Sequence, residues 1–369
     1  MKVSKKFFKA PLFSKNYNLK KMLVNEFDNI ENSFETINIV GTNGKGSVAY
    51  NISQQLKANN KKVGLFLSPA FLEHNDRISI SGENISDKDL LNIYSRFKKL
   101  FKKYQLTFFE IWTFISIWYF TQNKIDIAVY EAGIGGEKDS TNVFDKQILT
   151  ILTSIGHDHM SVLGNTLENI LLSKIKIYKK NNIVLGNVTK KFQKQVENYI
   201  KLDNLFIADL YDDTAIEYQK NNFGIVKKAI EVLNLKFNQK LLSEDFLGRF
   251  TILQQNPLRI IDGAHNIEGI KNLIQTCVNY KISNETQIIC TFSKNASYNE
   301  CILELKKYFK NIQVVSFSHL KSLDKNLLKK YNVKPWKRVY KYNKNKDIIF
   351  CGSLYFLPLV FNYLKKKEH

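Results

Sequence analysis

An apolar run at residues 37–41 leads directly into Gly41-Thr42-Asn43-Gly44-Lys45-Gly46-Ser47, and a helical pattern occupies 48–56. A strand that ends in a glycine-rich turn and continues as a helix aims backbone N–H groups and the helix N-terminus at one point. That is an anion site. Lys45 would neutralise β- and γ-phosphate oxygens, and the Ser47 hydroxyl would reach a phosphate-bound Mg²⁺. The strict GxxxxGK[ST] template is not met, because Gly41 and Gly44 are closer together and Gly46 separates Lys45 from Ser47. The plainer alternative is an ordinary turn with positive φ at its glycines. The expectation is ATP, bound by Thr42, Asn43, Gly44, Lys45, Gly46 and Ser47.

The chain around this loop alternates short apolar runs (63–67, 125–131, 148–155, 259–262, 288–292, 314–317, 348–351) with helix-period stretches (87–103, 166–179, 223–235, 269–280, 298–309, 355–365). Alternation of this kind means a mainly parallel sheet, hence α/β. At 369 residues the chain exceeds what one core usually supports. Two domains follow: a phosphate-loop ATPase domain over 1–244 and a smaller Rossmann-like α/β domain over 245–369, cut where composition changes near 238–247. The apolar stretches 111–120 and 348–364 are, respectively, too short and too broken by Gly352 and Pro358 to span a membrane. The basic start lacks the apolar run of a signal peptide, so the expected location is the cytoplasm.

A net charge of +21 raises nucleic acid as a partner. Only five of the 55 basic residues are Arg, the residue that base and phosphate forks favour, so the charge reads as a Lys-rich compositional bias. Neither nucleic acid nor membrane is expected. The four cysteines have no CxxC spacing and read as reduced core thiols.

The variant loop is the one that Mur-type ATP-dependent amide ligases carry, and further segments narrow the match. They are Ser68-Pro69 with Asp76-Arg77-Ile78, Glu131-Ala132-Gly133-Ile134-Gly135-Gly136 with Asp139 to Asn142, Asp158-His159, Leu163-Gly164-Asn165-Thr166-Leu167 with Lys174, Gly248-Arg249-Phe250, Asp262-Gly263-Ala264-His265-Asn266, and Gly352-Ser353-Leu354-Tyr355. In this order they resemble the folylpolyglutamate synthase/dihydrofolate synthase family of the Mur ligase superfamily. The resemblance implies an ATP-dependent ligase that joins L-glutamate to dihydropteroate, to reduced folates, or to both, through an acyl phosphate. It implies Mg²⁺ at one or two sites held by Ser47, Ser68, Glu131 and His159, and a nucleotide met by Asn222, Arg249 and Asp262. Catalytic roles fall to Lys45, Arg249, His265 and Lys174, and the acid is expected on Ala70, Phe71 and Arg77.

Each residue also has a plainer reading. Glu131 ends an apolar run at the sheet edge where ligands bind, yet could be a solvated loop acid. His159 alone would be structural, Asn222 could cap the helix from 223, and Arg249 could be an ordinary ion-pair partner. Lys174, among Lys176, Lys179 and Lys180, reads alone as a surface lysine; the resemblance implies that it is carbamylated. The chain departs from the family at Ala70, where a His is usual, at Glu137-Lys138, and at Ser293-Lys294-Asn295. A monomer is expected. The rival reading is a catalytically silent ATP- or nucleic-acid-binding relative.

Overall fold

The computed structural model describes residues 10–11, 18–200, 202–244, 246–293, 298–317 and 333–366; Lys294 and Asn295 lie outside them. Contacts divide the chain into two compact units, Met1–Tyr211 with Lys220–Leu242, and Asp212–Gln219 with Ser243–His369. Compared with a single cut at 244, this division also gives 212–219 to the second unit.

The first unit is built on β1 (Glu35–Val40), β2 (Val63–Phe66), β3 (Ile78–Ile80), β4 (Glu83–Asn84), β5 (Ile127–Glu131), β6 (Gln147–Leu152), β7 (Asn182–Leu185) and β8 (Leu205–Ile207). Among the described residues they form one sheet in the order β4-β3-β2-β5-β1-β6-β7-β8. Only β3 and β4 run antiparallel to their neighbours. The parallel strands are nearly continuous apolar runs because both faces are covered. On one face Ile37, Ile39, Val129 and Ile151 pack against the helices Lys45–Ala58 and Glu217–Val232. On the other, Phe66 and Tyr130 meet the helices Asp87–Lys103 and Phe108–Gln122. Ile39 is in register with Glu131 on one side and Ile151 on the other, so the strands β1, β5 and β6 end together. The chain leaves β1 for β2 on one side, while β6 lies on the other. Such a switch point opens a crevice at the carboxyl ends of the strands, where α/β sheets bind ligands.

The helix Phe108–Gln122 contains the stretch 111–120. Thr107 and Glu110 form its capping box, the Glu110 carboxylate accepting from Thr107 N at 2.8 Å and, through its other oxygen, from Leu19 N at 2.9 Å. Among the described residues no helix is long and apolar enough to cross a membrane.

The second unit holds β9 (Thr251–Gln255), β10 (Leu258–Asp262), β11 (Gln287–Thr291), β12 (Ile312–Ser316), β13 (Lys334–Pro335) and β14 (Ile348–Gly352), ordered β13-β12-β11-β14-β10-β9. It is parallel except for β9. Asp262 is in register with Cys351, and Thr291 with Gly352, which aligns the carboxyl ends of β10, β14 and β11. All four cysteines are buried free thiols, and burial drives those of Cys277 and Cys301 far up, the latter to about 12.

Candidate active site

The glycine-rich turn leaves β1 at the sheet's centre and enters the helix Lys45–Ala58 through Gly44, whose φ of +88° places it in the left-handed region that glycine occupies without strain. Closeness also demands glycine here, since a Cβ on Gly44 would lie 2.3 Å from Asn222 Oδ1. Asn222 is in the second turn of Glu217–Val232 rather than ahead of it. It therefore cannot cap that helix, which corrects one of its two readings, and its amide packs on the phosphate loop instead.

Lys45 Nζ donates to Gly41 O and to Thr42 O, both at 3.1 Å. Lys174 Nζ donates to the same Gly41 carbonyl at 2.8 Å, which the carbonyl's two lone pairs permit. Lys174 is thus not a surface lysine. It lies in the last turn of the helix Leu167–Ile175, 5% exposed, whereas Lys176, Lys179 and Lys180 are exposed. The helix is shorter than the pattern 166–179 suggests, starting after its Thr166 cap and ending at Ile175. Burial, followed by the charge of Lys45, lowers the Lys174 amine to about 7. A Cβ on Gly136 would lie 2.2 Å from Lys174 O, so the turn after Glu131 packs directly on this lysine.

That turn is held by Asp139, a buried carboxylate that accepts from Gly133 N, Ile134 N, Thr141 N and Thr141 Oγ1 at 2.7–2.9 Å. Burial raises its pKa, and the four donors oppose the rise. Glu131 ends β5, buried, and its Oε2 accepts from Ser68 N at 2.8 Å. The structure therefore brings Ser68 and Glu131 together. Ser47 Oγ is buried and has no hydrogen-bond partner among the described residues. His159 is different: its side chain is 46% exposed, its ring lies 3.7 Å from Asp158, and its φ is +49°. Among the described residues no three of His, Cys, Asp and Glu cluster as a metal cage. A buried hydroxyl and one carboxylate beside a phosphate site nonetheless suit Mg²⁺, which takes hard oxygen donors and completes its shell with phosphate and water.

In the second unit the carboxyl end of β10 gathers Arg249, Asp262 and His265. Asp262 accepts from Phe250 N at 2.7 Å and Ala264 N at 2.8 Å. Burial raises its pKa, against those N–H groups and the Arg249 charge. Arg249 Nη1 donates to Gly248 O at 3.2 Å and lies across Gly263, where a Cβ would approach it to 2.3 Å. His265 Nδ1 is 2.7 Å from Gly263 O. A carbonyl can only accept, so Nδ1 carries the proton. The hydroxyl of the partly buried Tyr218, 3.5 Å from Asp262 Oδ2, is a neighbour that no sequence motif marks.

Of the residues expected to meet the acid, Ala70 is buried and Phe71 is partly exposed. Arg77 is buried with its guanidinium 5.8 Å from the Phe108 ring and 5.5 Å from that of Trp112. Beside the Asp139 turn lies a cavity of about 130 Å³ lined by Lys20, Glu110, Glu137, Asp139, Ser140 and Asn142 among others. The buried Asn142 Oδ1 has no hydrogen-bond partner among the described residues.

Residues 39–253 match the family model of the Mur ligase middle domain. The dihydrofolate synthase/folylpolyglutamate synthase of Bacillus subtilis is 29% identical, over 94% of this chain and 94% of its own. The protein of that name from Haemophilus influenzae is 30% identical over 76% of this chain and 80% of its own. Among solved structures, an FPGS-AMPPCP-folate complex superposes with a TM-score of 0.81 and 25% identity, over 96% of this chain and 97% of that one. The apo form of L. casei FPGS gives 0.75 at 25% identity, over 97% of each chain.

Proposed function

The chain belongs to the dihydrofolate synthase/folylpolyglutamate synthase family of Mur ligases, ATP-dependent enzymes that form an amide with glutamate, and we propose that it extends both dihydropteroate and reduced folates, with dihydropteroate preferred. The observation that carries the catalytic reading is the convergence of Lys45, Lys174 and the partnerless Ser47 hydroxyl on one glycine-rich loop. A silent relative would have no reason to keep two lysines, one of them buried, on a single carbonyl. A cytoplasmic monomer, with ATP and glutamate at hand, goes with this reading; sedimentation at working concentration tests the monomer.

A carboxylate is a poor acylating agent because oxide is a poor leaving group. Its attack on the γ-phosphate of ATP gives an acyl phosphate and releases ADP, and the glutamate amine then attacks the acyl carbon, expelling phosphate and losing a proton. No side-chain nucleophile is needed, so this chain's work is positioning and charge neutralisation. The loop N–H groups and Lys45 bind the phosphates, Arg249 offers a fork of fixed charge, and His265 lies at the carboxyl end of β10 beside Arg249. Asp262 fixes the backbone just after Arg249, at Phe250, and just before His265, at Ala264. Ser47, Ser68, Glu131 and His159 would hold Mg²⁺, which supplies charge neutralisation at the phosphates when bound.

Replacing Arg249 with Lys keeps the charge but loses the fork. One charge-assisted hydrogen bond is worth about 1.5–3 kcal/mol, so kcat should fall roughly tenfold to a hundredfold. Wild-type kinetics in that variant would make Arg249 structural.

Acid choice is assigned to the first unit. Phe71 offers a partly exposed ring on which a pterin can stack. The shorter acid depends less on the unusual Glu137-Lys138 segment. The test is kcat/KM for dihydropteroate and for a reduced folate, with ATP, Mg²⁺ and glutamate. Dihydropteroate should give the higher value, and Phe71→Ala should lower both by roughly tenfold without changing KM for ATP. A folate-only enzyme, or no effect of Phe71→Ala, overturns the assignment.

A further inference from the structure

We propose that Thr153 and Ser154 are positioning residues of the phosphate loop, holding the Asn43 peptides so that the anion site exists before nucleotide arrives. The proposal rests on the reading of that loop as the ATP phosphate site. Neither residue belongs to a motif of that site. They follow directly on β6, beside β1, and Thr153 N donates to Val40 O at 2.9 Å, so the pair is continuous with the sheet.

Four hydrogen bonds link the pair to Thr42 and Asn43. Thr153 Oγ1 donates to Asn43 O at 2.6 Å, and Ser154 Oγ is 3.1 Å from the same carbonyl. Asn43 N donates to Ser154 Oγ at 2.8 Å, and Thr42 N to Ser154 O at 2.9 Å. Both peptide groups of Asn43 are therefore fixed. Thr153 also lies so close beneath Gly41 that a Cβ there would be 2.0 Å from its hydroxyl.

The chemistry of anion binding makes this more than support. A backbone carbonyl carries partial negative charge, and one turned toward a phosphate would repel it. With the Asn43 carbonyl committed to two hydroxyls of β6's extension, Gly44 can take its positive φ and begin the helix. The N–H groups of that helix's first turn, at Lys45, Gly46 and Ser47, have no acceptor within the helix and remain for the anion. Without the hydroxyls the peptide can rotate, and each binding event must first reorder it. That cost falls on nucleotide affinity, not on the acid.

The variants are Ser154→Ala, Thr153→Val and Thr153→Ser, the last retaining the hydroxyl. The measurements are Kd for the non-hydrolysable analogue AMPPCP with Mg²⁺, KM for the acid, and the thermal midpoint. Ser154→Ala and Thr153→Val should each raise Kd roughly tenfold, the size of one hydrogen bond, with the acid's KM unchanged. Thr153→Ser should stay within about threefold of wild type, since the bond to Asn43 is kept. A lower midpoint with wild-type Kd in the folded variants overturns the proposal, as does Thr153→Ser impaired equally with Thr153→Val. Should Thr153→Val fail to fold, the half-buried Ser154→Ala decides alone. Wild-type protein that does not bind AMPPCP overturns instead the reading of the loop.

Discussion

Ligation should fall about a thousandfold or more when Lys45 is replaced by Ala, with the fold intact. On the function proposed above, the size follows from what the residue offers: a positive charge at the phosphoryl group to be transferred, at the carboxyl end of the central strands. Removing one such preorganised donor commonly costs ~10²–10³ in rate, and loss of a full charge lies at the upper end. Stability should hardly change. Lys45 is half-exposed at the first position of its helix, and the Gly41 carbonyl it touches keeps its bond from Lys174. Glu131→Gln should lose activity too, since the amide keeps an acceptor for Ser68 N but removes the anion proposed to hold Mg²⁺. The check is phosphate release dependent on glutamate and acid, beside a thermal melt. Wild-type turnover in either folded variant would remove the site.

How much of this was legible in the sequence differs by element. The strands β1, β5 and β6 were visible because both their faces are buried and the chain there is rich in Ile, Val and Leu. The helix Phe108–Gln122 was visible only as a stretch to be weighed against a membrane. Buried on nearly every side, it has no polar face and hence no 3.6-residue period to detect. The strands β7 and β8 are four and three residues long, too brief for a periodic signal. Gly41, Gly44 and Lys45 announce a phosphate loop through residue type alone. Thr153 and Ser154 do not, because an ordinary Thr-Ser pair after a strand acquires its role only from the register that sets β6 beside β1. Lys174 shows the same limit: four lysines in seven residues look alike, and only the end of the helix at Ile175 turns one of them inward. Asn222 was placed ahead of its helix because the polar run before Phe223 looks like a loop, and burial of Gln219 and Asn221 shows why it is helix.

The second large effect concerns Lys174. An ordinary lysine amine is neutral in only about one molecule in a few thousand at pH 7. This one, lowered to about 7, is neutral in roughly half. If Lys174 carries the carbamate that the family resemblance implies, the neutral amine is the nucleophile: it adds to CO₂, an N–C bond forms, one proton leaves, and an anionic carbamate replaces the amine. Burial disfavours both charged forms, but the neighbouring Lys45 discriminates between them, repelling an ammonium and attracting a carbamate. The retained carbamate N–H can still meet Gly41 O. The direction with pH follows. Carbamylation should speed up as pH rises through about 7 and level off above it, so enzyme held in CO₂-depleted buffer at pH 6 should lose activity and recover with bicarbonate at pH 8. Stability has the same sign, since between about pH 7 and 10.5 the folded chain binds fewer protons here than the unfolded chain, and folding gains as pH rises across that window. Lys174→Ala should be nearly inactive, and a short carboxylate such as acetate should restore part of its rate by replacing the lost anion. Intact mass should show one added CO₂ on wild type and none on the variant. A fully active Lys174→Ala enzyme would sink the assignment, because neither the buried amine nor its carbamate would then be needed.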